Sequence, residues 1–253
     1  MDIESRSIKL VSTGKGVTTC SFFKYPNDNG IIYSSTHMDN PDCPSKPDFS
    51  KGYIWKLYPG FDIYEAGLSG SNPRPLTSSP GYDAEATYSF DGKKIIYTSL
   101  ISGDLDLWYM NPDGSGKQQL TNRLGYDGGA FYSYDAKKIV WRAYYPETKE
   151  EIENYKSLLK ENSIRPMALQ IWTMNANGTN KKQITDNNSA NFGPIYFPKA
   201  DKIIFSSNMH DPKGRDFDLY SINIDGTDLE RITYFEGFDG FPMFSPNGQY
   251  LVF

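Results

Sequence analysis

The sequence predicts an all-β domain built from repeated four-stranded units, and three observations predict it. One phrase occurs four times: FDIYEAGLSGSNPRPLTSSPGYDAEATYSFDGKKIIY, DLWYMNPDGSGKQQLTNRLGYDGGAFYSYDAKKIVW, LQIWTMNANGTNKKQITDNNSANFGPIYFPKADKIIF and FDLYSINIDGTDLERITYFEGFDGFPMFSPNGQYLVF. Landmarks in the copies keep one set of intervals. Asp62, Asp106, Gln170 and Asp218 are 44, 64 and 48 residues apart, and Thr77, Thr121, Thr185 and Thr233 repeat those intervals. So do Asp83, Asp127, Asn191 and Asp239. Finally, each copy holds four short aromatic and β-branched stretches, which suit a pleated, half-buried surface. Asp-Gly and Asn-Gly turns separate them, the strongest short-range hairpin signal. A period in the forties with four strands per unit is the signature of a β-propeller blade.

Taken in order, residues 1–15 read as the end of a preceding blade, with Lys9 to Ser12 matching the later QQLT strand. Residues 16–80, 81–124, 125–188 and 189–236 read as complete blades, and 237–253 as the start of an incomplete one. The chain is therefore expected to be a fragment of a longer protein. The alternative is a closed five-bladed ring in which Ile8 to Ser12 completes the last blade. The first unit carries a long insertion, Thr36 to Gly60, whose prolines and Ser/Asp/Gly clusters predict an ordered loop without helix or strand. The third carries PETKEEIENYKSLLKENSIRP after Trp141. Here Thr148 and Glu151 form a capping box. Ile152, Tyr155, Leu158 and Leu159 share a face at helical spacing, so a helix over 148–161 is expected against the blades.

MNPDGSGKQQLT, SFDGKKIIYTS and FSPNGQYLVF resemble the WD-like repeats of the TolB-type propellers. The resemblance covers nearly the whole chain. It implies a ring that is usually six-bladed and a protein exported in bacteria, hence a periplasmic or otherwise extracytoplasmic location with a signal peptide upstream of this fragment. It implies little about activity, because propellers host many unrelated functions.

The totals narrow the classes. Net charge is −5 over 253 residues with a pI near 5.1, and there is no basic run, which argues against a nucleic-acid partner. No apolar run approaches 18 residues, so no membrane span is expected. A monomer that holds a protein or peptide partner is expected.

Strand direction places the function. The chain alternates up and down through a blade, so second-to-third loops and blade-to-blade loops share one face. Every insertion is a second-to-third loop, and long loops on a rigid scaffold are where binding usually resides. On that face the repeats place Thr19, Asp83, Asp127, Asn191 and Asp239 at one equivalent position, around the channel mouth. Oxygen-only groups of this kind suit a hard cation such as calcium. Alternatively, each caps its own turn through side-chain-to-backbone bonds. Tyr82, Tyr126 and Phe238 precede the acids, and Glu85 follows one of them. His37 and His210 are the two histidines, both after second strands, and Arg142 lies on the same side. The D-x-D pairs Asp104/Asp106 and Asp216/Asp218 read as hydrogen bonders internal to the blades. Cys20 and Cys43, 23 residues apart, are expected to form a disulfide in an oxidising compartment, the alternative being two free thiols. No nucleophile elbow or phosphate loop is present in the sequence. The main reading is a non-enzymatic binding scaffold. The competing one is a propeller enzyme, or the accessory propeller of a hydrolase or sugar-active enzyme whose catalytic part lies elsewhere.

Overall fold

The computed structural model describes residues 5–45, 47, 50, 52–166, 168–245 and 247–253. Four antiparallel four-stranded sheets follow one another along the chain. Blade 1 comprises Thr18–Phe23, Gly30–Ser35, Asp62–Gly67 and Arg74–Pro75. Blade 2 comprises Asp83–Tyr88, Ile95–Ser99, Asp106–Met110 and Gln118–Gln119. Blade 3 comprises Tyr126–Tyr132, Lys138–Tyr144, Gln170–Asn175 and Lys182–Gln183. Blade 4 comprises Asn191–Tyr196, Lys202–Ser207, Asp218–Asn223 and Glu230–Arg231. A further pair, Met243–Phe244 with Leu251–Val252, follows. In each blade the inner strand pairs with the second, the second with the third and the third with the outer. The segment expected to end a preceding blade begins at Met1 and Asp2, which lie outside the described residues. Its Val11 packs against Ile31, Tyr33, Tyr64 and Ala66 of blade 1.

The core lies between blades rather than within one. Ile32, Ile63 and Leu76 of blade 1 meet Ala86, Tyr88, Ile95, Tyr97 and Met110 of blade 2. Ile96, Leu107 and Leu120 leave the other face of blade 2 to meet Tyr132, Ile139 and Trp141 of blade 3. Val140, Ile171 and Ile184 then meet Tyr196, Ile203, Phe205 and Tyr220 of blade 4. A sheet buried on both faces needs apolar residues at consecutive positions, which is why second strands read IIYTS and IIFSS without alternation. Full burial of one such side chain stabilises by roughly 1.5–3 kcal/mol.

Every complete inner strand carries a register shift two to three residues from its start. The extra residue adopts a left-handed backbone: Cys20 at φ 51°, Glu85 at 57°, Gly129 at 59° and Gly193 at 59°. Phe241, at φ 54°, holds the same place ahead of the two-stranded pair that follows blade 4. A bulge kinks the strand and re-aims a side chain.

The insertions depart from expectation in one respect. Trp55–Lys56 of the first pairs antiparallel with Ser163–Ile164 of the third, and Leu57 N–H adds a bond to the Asn162 carbonyl at 2.8 Å. The first insertion is thus not free of strand, although its residues 46, 48, 49 and 51 lie outside the described set. The helix spans Lys149–Lys160 with Thr148 as N-cap and both capping-box bonds made. Tyr155 and Leu158 are buried, and Ile152 and Leu159 half-buried. Tyr155 and Leu159 join Leu57, Leu105, Tyr126 and Ile164 in one apolar cluster. The two insertions therefore clasp each other over blades 2 and 3.

Candidate binding face

The repeated polar residues divide into two sets with different work. The Asp or Gln opening each third strand faces the Thr that follows the outer strand. Thr77 donates to Asp62 at 2.9 Å, Thr121 to Asp106 at 3.3 Å, Thr185 to Gln170 at 2.8 Å and Thr233 to Asp218 at 3.2 Å. Each threonine hydroxyl also accepts a backbone N–H, from Ile63, Leu107, Ile171 or Leu219, at 2.8–3.0 Å. These bonds fasten the outer strand to the third. The first acids of the D-x-D pairs hold the next blade instead: Asp104 accepts from Gly125 N–H and Asp216 from Gly237 N–H, both at 2.9 Å.

The residues expected to ring the channel are placed as follows. The pairing register puts Thr18, opposite Ser35, at the position that Asp83 takes opposite Ser99, so Thr19 is one residue past the equivalent site. Asp83, Asp127 and Asn191 are buried at the blade seams. Asp127 Oδ1 accepts from Trp141 Nε1 at 2.6 Å and from the Tyr145 hydroxyl at 2.5 Å. Asn191 donates to the Leu169 carbonyl at 2.7 Å and accepts from Ser207 at 2.7 Å. Asp83 faces Ser99 and Thr77. Asp239, half-buried, donates its N–H to the Phe217 carbonyl at 2.7 Å. The polar ends of Asp83, Asp127 and Asn191 thus engage different seams, and a common calcium collar is not formed from them. Burial pushes Asp83 up to about 6 and Asp127 up to about 7, with the neighbouring Asp62 and Asp106 adding to the rise.

What does converge, at the seam of blades 2 and 3, is Glu85, Arg142, Tyr126 and Trp55. The Glu85 bulge sends its carboxylate towards blade 3. There it pairs with the Arg142 guanidinium and accepts from Gly129 N–H at 2.9 Å, Tyr126 hydroxyl at 3.0 Å and Thr98 hydroxyl at 3.1 Å. Arg142 Nη2 also donates to Tyr126 at 2.7 Å, and its guanidinium lies 5.4 Å from the Trp55 ring. Trp55 stands edge-on to Tyr126 at 5.9 Å, so the first insertion roofs the group. Burial works against the Arg142 charge, but Glu85 overcomes it and raises the guanidinium pKa. Burial, with Glu85 adding, raises Tyr82 as well. Gly128 and Gly129 make room. A methyl group at either would run into the Glu85 carboxylate or the Arg142 guanidinium.

Cys20 occupies the Glu85 position of blade 1, and burial with the nearby Glu85 pushes its thiol up to about 11. Cys43 is exposed on the insertion, and both are free thiols rather than the expected disulfide. His37 packs on Tyr64 at 4.2 Å, with burial and Lys15 lowering its pKa. His210 Nε2 lies 3.3 Å from both Asp216 and Asp218, while its Nδ1 meets the Tyr220 hydroxyl at 3.1 Å. Among the described residues this is the one cluster of three groups with metal-ligand reach. Arg231 already pairs with Asp218, which supplies the positive charge a cation would bring.

The same face exposes large apolar side chains. Met38, Tyr53 and Ile101 lie in second-to-third connections. Phe192, Phe217, Phe238 and Phe241 form an aromatic cluster with centroids 5.1–6.1 Å apart.

No family model and no curated protein matches the sequence. Solved structures do. TolB from Acinetobacter baumannii is similar at a TM-score of 0.65 and 20% identity, over 94% of this chain and 48% of that one. A putative TolB from Agrobacterium tumefaciens is similar at 0.54 and 20%, over 90% and 85%. The chain has a TolB-like β-propeller fold. It spans about half the length of the Acinetobacter protein, and at these identities the likeness carries the fold alone. A puromycin-hydrolyzing peptidase from Mycobacterium tuberculosis is similar at 0.52 and 9% identity, over 85% of this chain and 38% of that one. The TolB-like fold is therefore shared with an enzyme. Among the described residues no helix is long and apolar enough to cross a membrane.

Proposed function

We propose that this TolB-like propeller is a non-enzymatic, extracytoplasmic scaffold that binds a protein or peptide partner through its loop-rich face and channel mouth. The exposure of Met38, Tyr53 and Ile101 on that face carries the reading. Apolar groups gathered beside polar ones on a rigid scaffold are what a partner surface needs. Tyr82, Glu85, Tyr126, Arg142, His37 and His210 would supply polar and aromatic groups beside it, together with the buried Asp83, Asp127 and Asn191 and the half-buried Thr19 and Asp239. The likeness to the two TolB structures supports the location outside the cytoplasm.

The test is a pull-down from periplasmic extract with the complete protein and four variants. Tyr53→Asp and Ile101→Asp alter the loop-rich face; Leu68→Asp and Leu229→Asp alter exposed positions in third-to-outer hairpins. A partner lost only with the first two supports the proposal. One lost only with the second two overturns it. The competing reading, an accessory propeller of a hydrolase, draws on the peptidase likeness. A G-x-S-x-G motif in an α/β pattern elsewhere in the complete gene would favour it.

A further inference from the structure

The blade seams repeat one polar arrangement with different chemistry. At the seam between blades 1 and 2, Thr77 bonds Asp62 and also faces Asp83. Between blades 2 and 3, Thr121 bonds Asp106 and faces Asp127. Between blades 3 and 4, the corresponding groups are Gln170, Thr185 and Asn191. The carboxylate pair is replaced there by an amide pair, and Asn191 Nδ2 donates directly to Gln170 Oε1 at 3.4 Å. At blade 4 the acid Asp218 is matched by Arg231 and His210.

In the first two seams the inner acid has no ion pair of this kind, although Asp106 accepts from Ser102 at 2.6 Å and from Gln119 at 2.9 Å. Asp62 and Asp83 face each other with Lys117 as the cation on that side, and Ser99 and Tyr97 complete the surroundings of Asp83. Asp127 is enclosed by Trp141, Tyr145, Thr121 and Asp106, with Tyr155 and Asp104 beyond. The nearby Arg123 is turned over the outside of the Tyr145 ring at 4.2 Å. In both Asp83 and Asp127, Oδ2 is buried and has no hydrogen-bond partner. Two buried carboxylates sharing a site cannot both ionise cheaply. An acceptor without a donor at full burial is costly as well. A proton on Oδ2 removes the charge and with it the first cost, and makes the group neutral as the Asn191 amide is in the third seam.

We propose that Asp127 near neutral pH, and Asp83 in mild acid, hold a proton in the folded protein, so that these two blade seams are proton-binding sites. Their loss of protons loosens the joints between blades 1, 2 and 3. Those joints carry the bulge of Glu85 and the clasped insertions, so the loop-rich face is coupled to pH through them. The sign is unusual for a carboxylate. Folded Asp83 and Asp127 bind protons more tightly than the unfolded chain, so their contribution is complete in acid and is lost as pH rises through about 6 and about 7.

The test combines carboxyl carbon NMR of the full chain with urea denaturation against pH. Two aspartate resonances are expected to titrate between about pH 5.5 and 7.5, against about 3.9 for an ordinary Asp. A carboxyl that titrates at about 7 in the folded protein and at about 3.9 when unfolded corresponds to roughly a thousandfold fall in the folding constant between pH 4 and 8. Asp127→Asn is expected to remove its part of that fall, because it installs the amide of the third seam. Asp106→Asn is expected to lower the titration point of Asp127, which loss of packing alone would not do. If Asp127→Asn does not fold, titration of the unaltered chain decides. Both resonances titrating below about pH 5 would overturn the proposal, as would stability rising from pH 5 to 8 in the wild type but not in Asp127→Asn.

Discussion

Replacing Arg142 by Met tests whether the group at the seam of blades 2 and 3 is one coupled unit. The substitution keeps an unbranched side chain of similar reach and removes the guanidinium from Glu85, from the Tyr126 hydroxyl and from the face of Trp55. The side chains of Arg142 and Glu85 are only 9% and 12% exposed, so water cannot replace the lost partner. Breaking one side of a buried pair costs about 3–5 kcal/mol. Glu85 would keep its bonds from Gly129, Tyr126 and Thr98, which places the loss near the lower end, about 3 kcal/mol. Glu85→Gly acts in the opposite way on the backbone. It relieves a left-handed non-glycine residue, a gain of about 1 kcal/mol, while stranding Arg142. The double variant Arg142→Met/Glu85→Gly removes both charges and the strain, so it is expected to be more stable than Arg142→Met alone. Urea denaturation of the four proteins gives a coupling energy, expected to be at least about 2 kcal/mol. Additive single effects, with coupling under about 0.5 kcal/mol, would mean that the ion pair is not closed in solution.

Two further outcomes follow from the hydrogen bonds. Thr121→Val leaves Leu107 N–H without its hydroxyl acceptor and removes one of the donors to Asp106, which keeps those of Ser102 and Gln119, so a loss of about 1–3 kcal/mol is expected in urea denaturation. Tyr155→Phe removes the hydroxyl that reaches Asp104 and the Gly125 carbonyl, both at 2.6 Å, and so unfastens the helix from the seam. Faster hydrogen exchange and proteolysis in residues 144–166, with the blades unaffected, is the expected result; unchanged protection of the helix would contradict it.

The architecture was legible because its signal is redundant. Apolar second strands, Asp-Gly turns and the Asp–Thr spacing recur in every unit, and each marks the same strands. The helix was legible for a local reason, since Thr148 and Glu151 satisfy its first turn and the apolar spacing sets its buried face. Side-chain direction at the blade seams was not legible. It depends on a bulge, and the bulge has a consistent sequence mark only where it is glycine, at 129 and 193. With Cys20 and Glu85 in that place the pattern disappears, so the repeat alone points to Thr19 as the counterpart of Asp83, whereas the register assigns Thr18. The pairing of Trp55–Lys56 with Ser163–Ile164 was hidden for another reason. Two residues on each side, more than 100 apart, leave no periodicity to read.

The bulge also shows where this chain departs from a generic repeat. Five units hold the same left-handed backbone, filled by Cys20, Glu85, Gly129, Gly193 and Phe241. Glycine adopts it freely; the other residues are strained by about 1–2 kcal/mol. Strain of that size persists only where the surroundings compensate it. For Glu85 the compensation is visible, as charge-assisted and neutral hydrogen bonds from four groups of blades 2 and 3 meet on one carboxylate. The neighbouring blade concedes space for it through Gly128 and Gly129, where any β-carbon would collide with the pair. For Phe241 the surroundings are an aromatic cluster with Phe192 and Phe238. The backbone at this position is thus set by the fold and the side chain by the individual blade. That combination lets each blade vary its side chain on a fixed backbone. The coupling measured between Glu85 and Arg142 therefore tests the rigidity of the proposed binding mouth as well as the strength of one ion pair.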